Sequence, residues 1–227
     1  MSFLSVVIPT MNEEESIGTV IDELDRALND SGVDYEVIVV DTDSHDRTRE
    51  IAAEKGARVL PEPRRGYGRA YKTGFQSASG DFVATLDADC TYPAEAVPGL
   101  LQILLDEDLD FISTNRFGNL HDGAMGTKHR FGNWLLTFNM NLLFRCGIND
   151  SQSGMWVFRR ACLSELDLSA DGMPFSEEIK IEAWRRLRCR EVPIAYRRRV
   201  GEVKLSSWKD GRENLLFLWK KRFQRSK

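Results

Sequence analysis

The chain has 227 residues, 42% hydrophobic and 29% charged, with a net charge of −4. Those proportions exclude a disordered or collagenous polypeptide and suit a single globular α/β domain; no Pro/Ser/Gly-rich linker divides the chain and no internal repeat recurs. Four scattered cysteines without a CxxC pair exclude a disulfide framework and predict a reducing, cytoplasmic setting, and no apolar run reaches the roughly 18 to 20 residues that cross a bilayer.

Residues 4–9 and 37–41 are short, unbroken β-branched runs of the kind found in strands buried on both faces. Between them, residues 13–28 place apolar side chains at the 3.6-residue spacing of a helix, which makes a βαβ unit. The alternation continues with a helix near 46–54, a strand at 58–60, a helix near 68–78 and a strand at 82–87. A further helix follows Pro93, a proline placed near a helix start, and leads to a strand at 111–114. A mostly parallel sheet with right-handed crossovers is expected from this order.

Beyond that point the pattern changes. Residues 131–144 are apolar and aromatic, too short to span a bilayer and suited to an interface. Residues 175–187 read as a helix, 191–196 as a strand, and 211–223 as a last helix in which an apolar body with Trp219 precedes Lys220, Lys221 and Arg222. That composition fits a membrane surface and also fits docking onto the core. The boundaries predicted are an α/β domain over 1–206 and a basic amphipathic helix or tail over 207–227. From Trp184 onward there are fifteen Lys/Arg against four Asp/Glu, so the chain is acidic in front and basic behind. A basic end of this kind suits anionic head groups, a substrate phosphate or nucleic acid.

In open α/β sheets ligands bind beyond the carboxyl ends of the strands, and polar groups fall at those ends here. The first strand ends in Pro9-Thr10-Met11-Asn12-Glu13-Glu14, the second in Asp41-Thr42-Asp43-Ser44-His45-Asp46, the fourth in Asp87-Ala88-Asp89. Ser44 and Asp46 read as helix caps. Asp87 and Asp89 differ, because two carboxylates one residue apart at the end of a buried strand repel each other unless a divalent cation that also bridges a diphosphate lies between them. The turn Arg64-Arg65-Gly66-Tyr67-Gly68-Arg69-Ala70-Tyr71-Lys72 opens a helix with glycines and cations, a place where free N–H groups attract anions. It is neither a dinucleotide fingerprint nor a P-loop. The three histidines lie in polar loop-like stretches, and Glu177-Glu178 read as first-turn charges of a helix.

Taken in order, these motifs resemble those of the family 2 glycosyltransferases of the GT-A fold, most closely the dolichyl-phosphate hexose synthases and their archaeal relatives. The resemblance covers the chain to about Ser206. It implies a Rossmann-like GT-A sheet flanked by helices and a nucleotide-sugar donor held by Pro9, Thr10, Asn12, Glu14, Asp41, Gly66, Gly68, Lys72, Asp87, Ala88 and Arg116. A divalent metal, Mg²⁺ or Mn²⁺, is implied at Asp87, Asp89 and Thr91, where Thr91 replaces a residue that is often Gln. Asn115-Arg116 matches the arginine that meets the donor diphosphate, and Arg130 a second arginine near the acceptor phosphate. Arg199-Val200-Gly201-Glu202-Val203-Lys204 looks like the acceptor loop, with Val203 in place of its serine, so Arg199 and Lys204 join Arg130 at the lipid phosphate. Asp89, Arg116 and Arg130 are the implied catalytic residues.

The implied reaction is inverting transfer of a hexose to dolichyl or polyprenyl phosphate by an enzyme peripheral to the cytoplasmic face of a membrane. The Asp89-Cys90-Thr91-Tyr92-Pro93 form of the metal motif leans toward UDP-glucose or UDP-N-acetylglucosamine over GDP-mannose. A phosphate monoester, largely a dianion at neutral pH, attacks without a general base. The rivals are a family 2 transferase with a hydroxyl acceptor and a non-catalytic nucleotide- or RNA-binding protein. No RNP-like strand is present, so no nucleic-acid partner is expected.

Overall fold

The computed structural model describes residues 3–121, 123–201 and 207–223. Among them, strands β1 (Phe3–Thr10), β2 (Asp34–Asp41), β3 (Arg58–Pro61), β4 (Phe82–Thr85), β5 (Phe111–Leu120), β6 (Trp156–Arg159) and β7 (Cys189–Tyr196) form one sheet in the order β3-β2-β1-β4-β6-β5-β7. β1 pairs in parallel with β2 and β4, β2 with β3, and β5 with β7, whereas β6 runs antiparallel between β4 and β5. The helices are α1 (Ile17–Ser31), α2 (Thr48–Glu54), α3 (Tyr67–Ser77), α4 (Val97–Asp106), α5 (Thr127–Phe144), α6 (Phe175–Arg186) and α7 (Ser207–Phe223).

The run of β1 over residues 4–9, apolar apart from the hydrogen-bonded Ser5, is explained by burial on both faces. Leu4, Val6 and Ile8 pack beneath α1 and α4 with Val20, Ile21, Leu24 and Leu101, and Val7 packs with Ile38 and Val40 beneath α3 and α6. α3 lies so close to the sheet that a Cβ at Gly74 would come within 2.3 Å of a Val7 methyl. A side chain there would lift the helix off the strand.

The mostly parallel α/β sheet is as expected, with two differences of detail. β6 was not foreseen: its four residues are too few to show a period, and they follow a polar loop rather than a helix. Its insertion separates β4 from β5, so the polar ends of the two are bridged by residues 150–155. β5 also runs past the expected 111–114, with an irregularity between Asn115 and Asn119 in its pairing with β7. The final helix begins at Ser207 and docks on the core, where Leu218 joins Met140, Ile148 and Ile181 in a third apolar cluster. Among the described residues no helix is long and apolar enough to cross a membrane.

Candidate active site

The loops after β1 and β2 are stitched together by their own polar groups. Asp41, 1% exposed, accepts hydrogen bonds from Thr10 Oγ1 at 3.1 Å, from the Ser44 backbone N–H at 3.0 Å and from the Ser44 hydroxyl. Asn12, at φ +54°, donates its own N–H to Ser44 Oγ at 2.8 Å and accepts from the His45 N–H at 2.8 Å. Glu14 accepts from the Arg47 N–H at 3.0 Å. Thr10, Asn12, Glu14 and Asp41 therefore meet at one end of the sheet, with Pro9 beside Thr10 in β1, and their bonds tie the two loops into one wall. Ser44 and Asp46 act partly as expected: Asp46 accepts from the Thr48 N–H in the first turn of α2, and Ser44 ties the two loops.

Beside this wall stands the carboxylate pair. Asp89 Oδ1 accepts from the Thr91 N–H at 3.0 Å and the Thr91 hydroxyl at 2.6 Å, while Oδ2 lies 3.1 Å from an Arg199 guanidinium nitrogen. Thr91 thus orients Asp89 with the hydroxyl expected on a metal. Among the described residues Asp87 accepts one long hydrogen bond, from the Tyr71 hydroxyl at 3.4 Å, and its pKa is pushed up to about 7, first by burial and then by the charge of Asp89. A half-buried carboxylate whose pKa is raised although Arg199 and Arg116 oppose the shift, beside a second one, suits a divalent cation, for which both supply hard oxygen ligands. Among the described residues no third His, Cys, Asp or Glu joins them, so donor and solvent oxygens complete any such shell.

The segment from Arg197 to Val200 is hydrogen-bonded directly to this motif. The Arg197 N–H donates to Thr91 O at 2.9 Å and the Val200 N–H to Asp89 O at 3.0 Å, and Arg199 also reaches Glu13 at 3.5 Å. Lys204 lies outside the described residues. Arg130 is exposed in the first turns of α5, and no described contact brings it to the carboxylates.

Arg116, 7% exposed, forms a bidentate pair with Asp150 at 2.7 and 2.9 Å, and its backbone N–H adds a third bond to the same carboxylate at 3.0 Å. Burial acts to raise the Asp150 pKa, but the charge and hydrogen bonds of Arg116 outweigh it and hold the carboxyl below its usual range. The Arg116 guanidinium also sits 5.3 Å from the Tyr196 ring centre. It therefore presents a fixed positive charge near Asp87, oriented by a counter-ion that motif spacing alone did not reveal. Lys180 of α6 donates to the Asp150 carbonyl at 2.9 Å.

The glycine-bearing turn is used differently from the expectation. The N–H groups of Gly68 and Arg69 donate to the carbonyls of Gly172 and Asp171, and Arg69 and Lys72 both pair with the Asp171 carboxylate. A Cβ at Gly66 would lie 2.3 Å from Asp171 O, and one at Gly68 2.5 Å from Ala170 O. Gly66, Gly68 and Lys72 thus hold α3 against the 170–172 loop, and the expected open anion site is capped by that loop. What α3 delivers is a pair of tyrosines one turn apart: Tyr71 contacts Asp87, and Tyr67 and Tyr71 pack edge to face at 4.9 Å. Tyr92 accepts the Gly154 N–H at 2.7 Å. The i, i+4 spacing of Tyr67 and Tyr71 was the available signal. All three histidines are exposed, as expected. Glu177 and Glu178 do open α6, but both are fully buried rather than solvated.

The profile described as Glycosyl transferase family 2 matches residues 5–167. The chain belongs to glycosyltransferase family 2. Among its relatives, the low-salt glycan biosynthesis hexosyltransferase Agl6 of Haloferax volcanii is 42% identical over 218 residues, covering 95% of this chain and 52% of that protein. The dolichyl-phosphate hexose transferase of the same organism is 35% identical over 92% of this chain and 89% of its own length. The dolichol-phosphate mannosyltransferase of Pyrococcus furiosus is 30% identical over 89% of this chain and 59% of that protein. This family 2 chain thus spans about half the length of the Agl6 relative. Of solved structures, glucosyl-3-phosphoglycerate synthase from Mycobacterium tuberculosis with Mn²⁺, UDP-glucose and phosphoglyceric acid has a TM-score of 0.80 at 25% identity, covering 97% of this chain and 79% of that one. A second structure of that enzyme holds Mg²⁺ and UDP, with a TM-score of 0.78.

Proposed function

We propose that this family 2 chain transfers a hexose from a nucleotide sugar to dolichyl or another polyprenyl phosphate, with inversion at the anomeric carbon, as an early step of lipid-linked glycan synthesis or protein glycosylation. UDP-glucose or UDP-N-acetylglucosamine is the donor favoured over GDP-mannose. One observation carries the reading: Arg199 of the acceptor-type loop lies 3.1 Å from Asp89 of the donor-side carboxylate pair, so the places for donor and acceptor share a boundary. The names of the Haloferax and Pyrococcus relatives support a lipid-phosphate acceptor, and the metal-bound complexes of the mycobacterial neighbour support a divalent cation.

In this mechanism Asp87 and Asp89 would hold the cation, Mg²⁺ or Mn²⁺, and the chemistry supplied there would be neutralisation of charge on the departing nucleoside diphosphate. Arg116, immobilised by Asp150, adds a preorganised positive charge on the same side and needs no reorganisation during the reaction. The wall built on Asp41, Thr10 and Asn12 orients the nucleotide. Arg199, Lys204 and Arg130 are assigned to the acceptor phosphate, whose dianion is its own nucleophile; alignment is then the main task of the protein. The site is proposed to work at the cytoplasmic face of a membrane, and the exposed aromatic ridge of α5 supports a peripheral mode of attachment.

The test is radiolabel transfer from UDP-glucose, UDP-N-acetylglucosamine and GDP-mannose to dolichyl phosphate with Mg²⁺ or Mn²⁺, beside Asp89→Asn. Label in the organic phase from one donor, lost by about 100-fold or more in the variant, is the expected result. Transfer to a soluble hydroxyl acceptor such as phosphoglycerate, with no lipid label, would overturn the acceptor assignment.

A further inference from the structure

Two helices leave large apolar side chains in solvent on adjoining surfaces. Along α5, Phe131, Trp134, Phe138 and Leu142 follow the three-to-four-residue spacing of one helix face, with successive rings stacked at 5.8 and 5.7 Å. Trp134 is 57% exposed. On α7, Trp219 and Phe223 stack at 6.0 Å, and Phe223 is 71% exposed. At the C-terminal ends of both helices the ridge opens into a groove of about 710 Å³ lined by Leu142, Leu143, Phe144 and Phe223 on the apolar side and by Arg145, Arg185, Lys221 and Arg222 on the other. Among the described residues no carboxylate lines it.

The cations of this groove differ in how far they are already neutralised. Lys221 pairs with Glu178 at 3.1 Å and Glu182 at 2.9 Å, and Arg185 lies 3.9 Å from Glu182. Among the described residues no ion pair reaches Arg145 or Arg222, both exposed at the rim. A protein of net charge −4 is repelled as a whole by an anionic surface, so it approaches one only through a locally basic face. Here that face and the apolar ridge coincide, and the combination selects an amphiphile with an anionic head.

We propose that this groove binds the head group of an anionic phospholipid, with its phosphate between Arg145 and Arg222 and its acyl chain along Leu142 and Phe223. The site is separate from the acceptor site: Arg130 and Arg145 stand at opposite ends of α5, about 22 Å apart at the rise of an α-helix. The groove therefore fixes the far end of α5 on the bilayer and leaves the near end, which carries Arg130, free for the acceptor assigned to it above. The proposal rests on the peripheral-membrane part of the function above, not on which sugar or acceptor is used.

The experiment is flotation of the full chain with vesicles of phosphatidylcholine alone and with about one third phosphatidylserine, for the wild type, Arg145→Gln and Arg222→Gln. Binding to the anionic vesicles only, weakened by salt and by about fivefold for each arginine removed, is expected. Transfer to a short-chain polyprenyl phosphate in detergent stays unchanged in both variants, so a dead transferase and a lost lipid site give different readouts. Equal binding to neutral vesicles, or variants that float like wild type, would overturn the proposal. So would hydrogen-exchange protection of residues 142–145 by inorganic phosphate equal to that given by anionic vesicles, or occupation of the groove by a second copy of the chain in solution.

Discussion

α5 and α6 lie against each other and invert the usual placement of carbon and charge in opposite ways. α5 buries Leu136, Thr137 and Met140 and leaves Phe131, Trp134, Phe138 and Leu142 in solvent. α6 buries nine consecutive residues from Phe175 to Ala183, Glu177, Glu178, Lys180 and Glu182 among them. A buried charge persists only where hydrogen bonds and counter-charges replace water. In α6 that requirement produces fixed connections. Glu178 accepts from the N–H groups of Ser169 and Ala170 at 2.9 and 2.7 Å and pairs with Lys221 of α7, while Lys180 supports the Asp150 loop that aims Arg116. The same helix thus braces the 169–172 loop that caps α3 and the 150–154 loop beside Asp87. Among the described residues the outward side chains of α5 have no protein partner of that kind, and apolar patches of this size mark contact with something other than water. Charge turned inward builds the site here, and carbon turned outward is left for a surface.

The largest break in that contrast comes from the buried network. Asp150→Asn removes the counter-charge of a nearly inaccessible guanidinium and weakens three hydrogen bonds, and a buried pair broken at one partner costs about 3–5 kcal/mol. For a chain of this size that lowers Tm by on the order of 10 °C. Thermal and urea unfolding read it directly, and a variant as stable as wild type would show that Arg116 is not confined as described.

A smaller effect, visible only against pH, belongs to Glu177. Its Oε1 accepts from Gln152 Nε2 at 2.8 Å, its Oε2 is buried without a hydrogen-bond partner, and burial pushes its pKa up to about 8, against the opposing charge of Lys180. The folded protein then keeps the Glu177 proton between about 4.5 and 8, where the unfolded chain releases it. Because the unfolded state binds fewer protons in that window, the Glu177 contribution to stability falls as pH rises through it. Glu177→Gln does not titrate, and the neighbour coupled to it, Lys180, whose pKa burial lowers to about 7, stays largely charged in both proteins over the lower part of that window. The variant therefore gains stability relative to wild type from pH 5 to 8. Parallel Tm curves for the two proteins would mean that Glu177 is ionised in the fold.

Where the sequence was legible, the reason is that one physical requirement fixed both pattern and position. β1 and β2 read as strands because burial on two faces demands unbroken β-branched runs, and Asp41, Asp87 and Asp89 stood out because they end such runs. The segment from Asp150 to Gly154 resembles a family motif, but the role of Asp150 was not legible, since a counter-ion to Arg116 thirty-four residues away is a matter of tertiary contact. Gly66 and Gly68 showed the right turn but not its neighbour: the 170–172 loop that accepts from the N–H groups of Gly68 and Arg69 arrives from a hundred residues downstream. β6 had too few residues for a period, and it changed which strands are adjacent. For α6 the helix was readable and the burial of its acids was not, because the partners of Glu178 lie on α7 and on the 169–170 loop.

The smallest expected effect on stability is the most informative about α5. If Trp134 and Phe138 face solvent in the free protein, Trp134→Ser combined with Phe138→Ser changes folding free energy by only about 0.5 kcal/mol per site. The same loss of two large apolar side chains from a core costs several kcal/mol each. Transfer assays then separate the two surroundings of the helix: with acceptor in liposomes the apparent KM of the double variant rises, and with a short-chain acceptor in detergent kcat and KM stay at wild-type values. A fall of several kcal/mol on unfolding would show that these rings are packed in the free protein, against a second copy or a further segment of chain. In that case the ridge would be an interior surface like α6, and the contrast between the two helices would no longer hold.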